Sequence, residues 1–404
     1  MIPYARQDID QADIDAVVQV LRSDFLTQGP AVPRFEQVVA DYCGAAHAIA
    51  TNSATSALHL ACLALGVGPG DWIWTSPITF AASANCARYC GARVDFVDID
   101  PRTYNMSAER LAERLARARI SGTLPKVVIP VHFAGQSCDM AAIHELSRQY
   151  HFRLIEDAAH AIGGRYRDEP IGSCRYSDIT VFSFHPVKII TTGEGGMALT
   201  NDPALARRMA RLRSHGITRD PAEMTHDPDG PWYYQQLELG FNYRMTDIQA
   251  ALGLSQMTRL DAFVARRHEI AEYYDETLKK LPVTIPWRHP DNHSALHLYV
   301  IRLPSLRRGL SESSVRDGEN NKTHREVFEG LRAAGIGVNL HYIPVYRQPD
   351  YEKMGFNKAD FPEAERYYSE AITLPLYPGL NELRQEKVIR VLRTVFLKKQ
   401  EQGP

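Results

Sequence analysis

The chain has 404 residues, 44% of them hydrophobic, and its 46 basic and 48 acidic side chains leave a formal net charge of −2. That length suits a large domain with a smaller one rather than a single small module, and the near-neutral charge argues against a generic nucleic-acid binder, whose affinity rests on massed Lys and Arg facing phosphate. No apolar stretch approaches the ~20 residues of a membrane helix, and residues 1–10 carry no apolar signal core, so a cytoplasmic enzyme is expected.

In chain order, the first chemical signal runs from Thr51 through Asn52, Ser53, Ala54, Thr55 and Ser56 to Leu58, small hydroxyl residues that open a helix reaching Gly66. A helix N-terminus offers free N–H groups and a favourable dipole, which suits a phosphate; plain capping by the same residues is the competing reading. From about residue 48 to 201, short apolar runs alternate with helical patterns. Strands are predicted at 72–76, 94–98, 126–132, 152–156, 179–184 and 196–200, the pattern of βα units in a largely parallel sheet. Ligands in such sheets sit at the carboxyl ends of strands, so polar residues there matter most.

Asp157 stands at one such end, in Leu154-Ile-Glu-Asp-Ala-Ala-His-Ala-Ile-Gly163. A carboxylate there can hold the pyridine nitrogen of pyridoxal phosphate protonated, although Asp before two alanines is also a good helix cap. Lys188 follows at the end of Val181-Phe-Ser-Phe-His-Pro-Val-Lys188, ahead of Thr191-Thr-Gly-Glu-Gly-Gly196. Most lysines lie solvated on helix faces. One walled by Phe182, Phe184 and Ile189 is partly desolvated, which favours the neutral amine that forms Schiff bases.

Farther on, a long helix is expected from about 246 to 280, bridging into a smaller C-terminal domain. That domain is predicted to hold a strand at 298–303, a helix around 323–334, a strand near 337–342 and a last helix from Glu382. The polar segments 220–231 and 305–322 read as exposed loops. The division expected is a large domain of residues 1–258 and a small α+β domain of 259–404. Cys43, Cys62, Cys86, Cys90, Cys138 and Cys174 are scattered without a Cys-x-x-Cys pair. Cys86 and Cys90 share a helical face, yet lone buried cysteines usually behave as small apolar residues. His289, His293 and His297 recur every four residues; Pro290 interrupts any regular helix, so loop and substrate-rim roles are favoured over a metal site.

Taken together, the segments around Asn52–Leu58, Glu156–Gly163 and Phe182–Gly196 resemble the DegT/DnrJ/EryC1 family of sugar aminotransferases, nearly end to end. The resemblance implies an α/β, fold-type I pyridoxal-phosphate enzyme with a mostly parallel sheet, working as a homodimer with shared active sites. It implies that Lys188 binds the cofactor covalently and shuttles the proton between cofactor and substrate carbons, with Asp157 on the ring nitrogen. Ala54 and Thr55 match phosphate-loop positions, and Ser183 a serine near the phosphate or substrate. Phe80 matches an aromatic ring over the cofactor, which suits a flat conjugated system, though it could equally be core. His160 matches a position close to the ring oxygen, and Asn242 one that reaches the phosphate of the partner subunit, with a turn residue as the alternative.

Family members with His in place of the lysine remove a hydroxyl instead, so lysine at 188 favours transamination. Within the family the chain resembles the branch serving pseudaminic-acid biosynthesis, which aminates C4 of a UDP-linked 2-acetamido-2,6-dideoxy-4-keto-hexose with L-glutamate as donor. That similarity rests on Tyr4, Asp24, Phe25, Leu26, Thr27, Ala54, Ser183, the Arg213–Gly216 stretch, His341, Tyr342, Ile343 and Pro344, which with Asn242 are the implied substrate contacts. Tyr4, 24–27, Ser183 and 341–344 are expected to converge only in the folded dimer. Alternatives are a family member acting at C3 or on a dTDP or GDP sugar. A non-catalytic regulator on the same scaffold is a further reading, against which no winged-helix or basic extension precedes Tyr4.

Overall fold

The computed structural model describes residues 1–303 and 323–397; the 305–322 segment lies outside the described residues. At its centre is a seven-stranded sheet made of β1 (His47–Thr51), β2 (Trp72–Thr75), β3 (Arg93–Phe96), β4 (Val127–Ile129), β5 (Arg153–Asp157), β6 (Ile179–Ser183) and β7 (Gly196–Thr200). Their order is β1-β7-β6-β5-β4-β2-β3. Strands β2 to β6 run parallel, and β7 lies antiparallel to both of its neighbours.

Parallel pairs need crossovers, and helices supply them except between β5 and β6, where the connection carries only a short hairpin, Arg165–Tyr166 with Glu169–Pro170. Before the sheet come α1 (Gln11–Leu21) and α2 (Ala31–Cys43); α3 (Ala54–Ala64), α4 (Ala82–Tyr89), α5 (Ala108–Ser121) and α6 (Met140–Tyr150) then connect successive strands, and α7 (Pro203–Arg213) follows β7. Side chains alternate across the strands, as the two-residue period requires. Ile73, Val127, Ile129, Val181 and Ala198 face one core, shared with α3, α4 and α7. Trp74, Val128 and Leu154 face the opposite side under α5 and α6, continued by Phe182, Met197 and Leu199 under α2. All six cysteines are buried and unpaired.

Strand β1 is the element the pattern did not announce. His47-Ala-Ile-Ala-Thr is alanine-rich and a weak strand former; its five-residue ladder with β7 does what propensity does not. The long helix expected from 246 to 280 is two, α8 (Asp247–Met257) and α9 (Leu260–Leu278). The break falls at Arg259, whose guanidinium is drawn to Asp8, Asp10 and Asp13 at 2.9, 3.2 and 2.5 Å. Early residues of α9, Leu260, Phe263 and Val264, pack with the large sheet. Later ones, Ile270, Ala271, Tyr274 and Leu278, join a separate core with Val327, Leu331, Ile372 and Val388.

That second core surrounds an antiparallel pair, β8 (Tyr299–Arg302) and β9 (Ala371–Leu374), the helix His324–Ala333 and the last helix Glu382–Leu397. The strand predicted at 337–342 does not form. Only an isolated bridge joins Asn339 to Thr373, and the Asn339 side chain accepts from the N–H of Leu340 at 2.9 Å. Such local bonding takes a donor that a ladder would need. Segment 220–231 is exposed for most of its length.

One carboxylate ties the start of α2 to the start of α8. Asp247, 1% exposed, accepts from the N–H groups of Gly29 at 2.8 Å, Ala31 at 2.7 Å and Val32 at 3.3 Å. Removing it strands three donors. Asp247→Ala is therefore predicted to lower stability by about 2–4 kcal/mol, seen as a drop in thermal midpoint; an unchanged midpoint would show that water replaces the carboxylate without cost.

Candidate active site

A cleft of about 940 Å³ opens at the carboxyl ends of β1, β2, β5 and β6, and is closed on the far side by residues 339–342. Sheets of this kind place ligands there because loops leave the strands for helices at that edge. Ten of the expected residues line it: Tyr4, Ala54, Thr55, Phe80, Asp157, His160, Ser183, Lys188, His341 and Tyr342.

The phosphate end is built by α3. Ser53 caps that helix, its hydroxyl accepting from the N–H of Ser56 at 3.1 Å, which leaves the first-turn N–H groups of Ala54 and Thr55 free to face an anion. So capping and anion binding are both present, on different residues. The helix can begin there because Gly196 has no side chain: a Cβ on it would lie 2.4 Å from the Ala54 nitrogen. This gives the Gly-Glu-Gly-Gly run a steric reason.

Asp157 ends β5 and is 5% exposed. One carboxylate oxygen accepts from the N–H of Ala159 at 3.1 Å, a local turn bond of the capping kind. The other accepts from the Ser83 hydroxyl at 2.6 Å, and Ser83 in turn lies 2.7 Å from Thr79 Oγ1. Ser83 is a residue that sequence reasoning passed over; its only trace is a Thr and a Ser one helical turn apart. Opposite, the loop after β6 turns back through a Lys188 N–H to His185 carbonyl bond of 2.8 Å. It sends the amine deep into the cleft, where burial lowers the Lys188 pKa from 10.5 to about 8, with Asp157 opposing the shift.

Histidines line the remaining wall. His160 Nδ1 accepts from the N–H of Ala134 at 3.2 Å, so its proton resides on Nε2, which donates to the Tyr342 hydroxyl at 3.1 Å. Tyr342 is held protonated, its pKa raised by burial and by Asp157, and its own O–H is left for a ligand. His341, pushed down to about 3 by burial and by Lys188, is neutral, anchored by Thr373 at 2.9 Å and Asn339 at 3.3 Å. Phe80 is 64% exposed, which removes the core reading; it lies 6.3 Å from the Tyr342 ring.

Other expected residues stand outside this cleft. Asp24, Phe25, Leu26 and Thr27 are exposed on the loop between α1 and α2, pinned to the start of α8 by the Thr27–Thr246 bridge. Asn242 is exposed and does not itself line the cleft of its own chain, although its carbonyl accepts from the Asn52 side chain at the cleft edge at 3.5 Å. Ile343 is exposed while Pro344 is buried, leading into a short helical turn. Arg213 spends its guanidinium on Glu36 at 2.5 Å and on the Ala50 carbonyl at 2.7 Å, a structural use. The three spaced histidines diverge: His289 meets Trp287, His293 stacks on His268, and His297 packs against His160. Tyr4 and His341 meet ring to ring at 5.0 Å within one chain, so their convergence does not need a dimer.

Comparison with known proteins matches this arrangement. The profile of the DegT/DnrJ/EryC1/StrS aminotransferase family covers residues 7–393. The chain belongs to that family. It is 37% identical over 404 residues to the UDP-4-amino-4,6-dideoxy-N-acetyl-beta-L-altrosamine transaminase of Campylobacter jejuni, covering 100% of this chain and 99% of that one. It is 38% identical over 399 residues to the GDP-perosamine synthase of Caulobacter vibrioides, covering 98% of each. Among solved structures, a sugar aminotransferase of Streptococcus pneumoniae in its PLP form superposes with a TM-score of 0.83 at 29% identity over 98% of each chain.

This sugar-nucleotide aminotransferase uses pyridoxal phosphate, and the cleft fits that group. Free N–H groups at Ala54 and Thr55 suit its phosphate, the buried Asp157 carboxylate its ring nitrogen, and the exposed Phe80 ring its face. The bound cofactor supplies an electron sink for charge developing on the substrate carbon. Lys188, whose buried amine faces the same space, would supply the amine that holds the group and the base that moves the proton.

Because the Lys188 amine titrates near 8, it is protonated and unreactive below that pH and free above it. Cofactor loading by the apo-protein is predicted to accelerate with rising pH through a midpoint near 8, followed by the absorbance of the bound chromophore. Lys188→Ala should fold, transfer no amine and retain no cofactor after borohydride. A midpoint near 10.5, or turnover by the variant, would remove Lys188 from this role.

Proposed function

We propose that this enzyme transfers the amino group of L-glutamate to C4 of a UDP-linked 2-acetamido-2,6-dideoxy-4-keto-hexose. The observation that carries the reading is end-to-end similarity to the Campylobacter jejuni transaminase, together with a wall on which Tyr4, from the start of the chain, meets His341 and Tyr342 from near its end. Aromatic faces beside a tyrosine hydroxyl suit a deoxy sugar with an acetamido group, which needs apolar contact next to hydrogen bonds. The 38% identity to GDP-perosamine synthase supports a second reading, in which the carrier is GDP.

Added keto-sugar without glutamate should return the pyridoxamine form of the enzyme to the aldehyde form in one turnover, read spectrophotometrically. The UDP sugar is expected to do this. If it leaves the spectrum unchanged while a GDP or dTDP keto-sugar restores it, the UDP reading falls and the aminotransferase assignment stands.

We further propose a homodimer with shared sites. Asn242 is exposed and does not line its own cleft, and Leu239 is 81% and Trp232 72% exposed, while Phe25 and Leu26 are also uncovered. Large apolar side chains left exposed in this number mark a face that another surface covers. In this arrangement Asn242 reaches the partner's cofactor phosphate. Mixing Lys188→Ala with Asn242→Ala chains should then restore one intact site per mixed dimer. Lack of any recovered activity, with subunit exchange demonstrated, would sink the shared site.

A further inference from the structure

His297 has no assigned part in the chemistry above, yet it is one of the most tightly placed side chains in the cleft wall. It is 2% exposed, lines the cleft, and its ring centre lies 4.4 Å from that of His160, tilted by 45°. Its backbone is held at both ends. The N–H donates to the Ala134 carbonyl at 2.9 Å, and its carbonyl accepts from the buried Arg267 guanidinium at 3.3 Å. Ala134 adopts a left-handed φ of 58°, and Gly135 a φ of 99° that brings it so close that a Cβ would lie 3.0 Å from the His297 nitrogen. The same Ala134 gives its N–H to His160. One strained turn thus sets both imidazoles side by side.

The ring itself is unsatisfied. Nδ1 is buried with no hydrogen-bond partner, and among the described residues Nε2 has no protein partner either. A buried imidazole with two idle nitrogens is a costly choice for a wall that Phe or Leu could fill, unless something that enters the cleft uses it. An orphaned lone pair is more common than an orphaned N–H, which places the proton on Nε2, the nitrogen that is not sealed off. The groups facing the ring are Lys188 and Arg267, both cationic, with His160 and His341; burial first, then these neighbours, keep the imidazole neutral. A neutral N–H donor in a locally positive field suits a negatively charged oxygen.

We propose that His297 is a further ligand-contacting residue of this aminotransferase, its Nε2–H donating to an anionic oxygen of the molecule bound in the cleft. Two sources carry that chemistry: the carboxylate of the amino-acid donor and the ring oxygen of the pyridoxal group. His160 has committed its own Nε2–H to Tyr342, so the contact falls to the neighbouring ring. The inference rests on the aminotransferase activity, not on which sugar nucleotide is used.

The test compares the holoenzyme with His297→Phe, which keeps the ring and its packing, and His297→Gln, which keeps a donor of similar reach. Two quantities are read: the Kd for L-glutamate by spectral titration, and the pH midpoint of the cofactor absorption band without donor. If the partner is the donor carboxylate, His297→Phe raises the glutamate Kd by about tenfold to a hundredfold, the loss of one hydrogen bond to a charged group, and leaves the pH midpoint alone. If it is the ring oxygen, the midpoint moves by about one unit or more and the Kd holds. In either case His297→Gln recovers part of the loss. Both quantities within about twofold of wild type in His297→Phe overturn the proposal. Should that variant fail to load cofactor, His297→Asn is measured instead; its amide is too short to reach the cleft, so wild-type values in it overturn the proposal equally. Absence of any glutamate response in the wild type would fault the choice of donor, and the pH midpoint would still decide the ring-oxygen arm.

Discussion

An amine can attack a carbonyl only after losing its proton, and in this cleft the loss is arranged by keeping water away without supplying an ion pair. A carboxylate in contact with Lys188 would hold it charged. Asp157, the nearest acid, is instead turned toward Ser83 and the backbone of Ala159, so it acts on Lys188 through space while its oxygens stay occupied. The consequence spreads along the wall. Burial first, and neighbouring positive charge after it, push His160, His297 and His341 down, so all three are neutral. They therefore serve as neutral hydrogen-bonding groups, His160 held by Ala134 and His341 by Thr373 and Asn339, and Tyr342 inherits a defined orientation from His160.

Much of this was legible in the sequence, for physical reasons. Strands β2, β4, β5 and β6 are largely buried on both faces, so they read as short apolar runs, and their polar ends stood out. Asp157 and Lys188 were found because each interrupts such a run at its carboxyl end. The Gly-rich stretch before Met197 was visible, but its purpose, letting α3 start against Gly196, depends on a contact between segments some 140 residues apart.

What stayed hidden follows from the same logic. Strand β1 has too little intrinsic preference to be seen without its partner. Asn339 looked like part of a strand because its neighbours are apolar; its side chain captures the adjacent amide instead. Arg213 resembled a substrate contact, yet a guanidinium within reach of Glu36 is used for packing, a choice that only the fold reveals. Ser83 carries little signature beyond Thr79 one turn before it, since a serine in a helix is ordinary until an aspartate arrives from another strand. His297 was noticed for its spacing, which proved irrelevant: its importance comes from the Ala134 turn, far away in the chain.

The reversed strand β7 sets the order in which this molecule can become active. It completes the sheet by pairing with β1, which was made about 150 residues earlier, and the closing rung joins Thr51 to Gly196. During synthesis β1 must wait, its edge unpaired, until β7 has emerged, and loop closure over that distance is slow relative to local helix formation. The start of α3 cannot seat before Gly196 is beneath it. A nascent chain that already holds Asp157 and Lys188 therefore has no finished α3 N-terminus facing them until the sheet has closed.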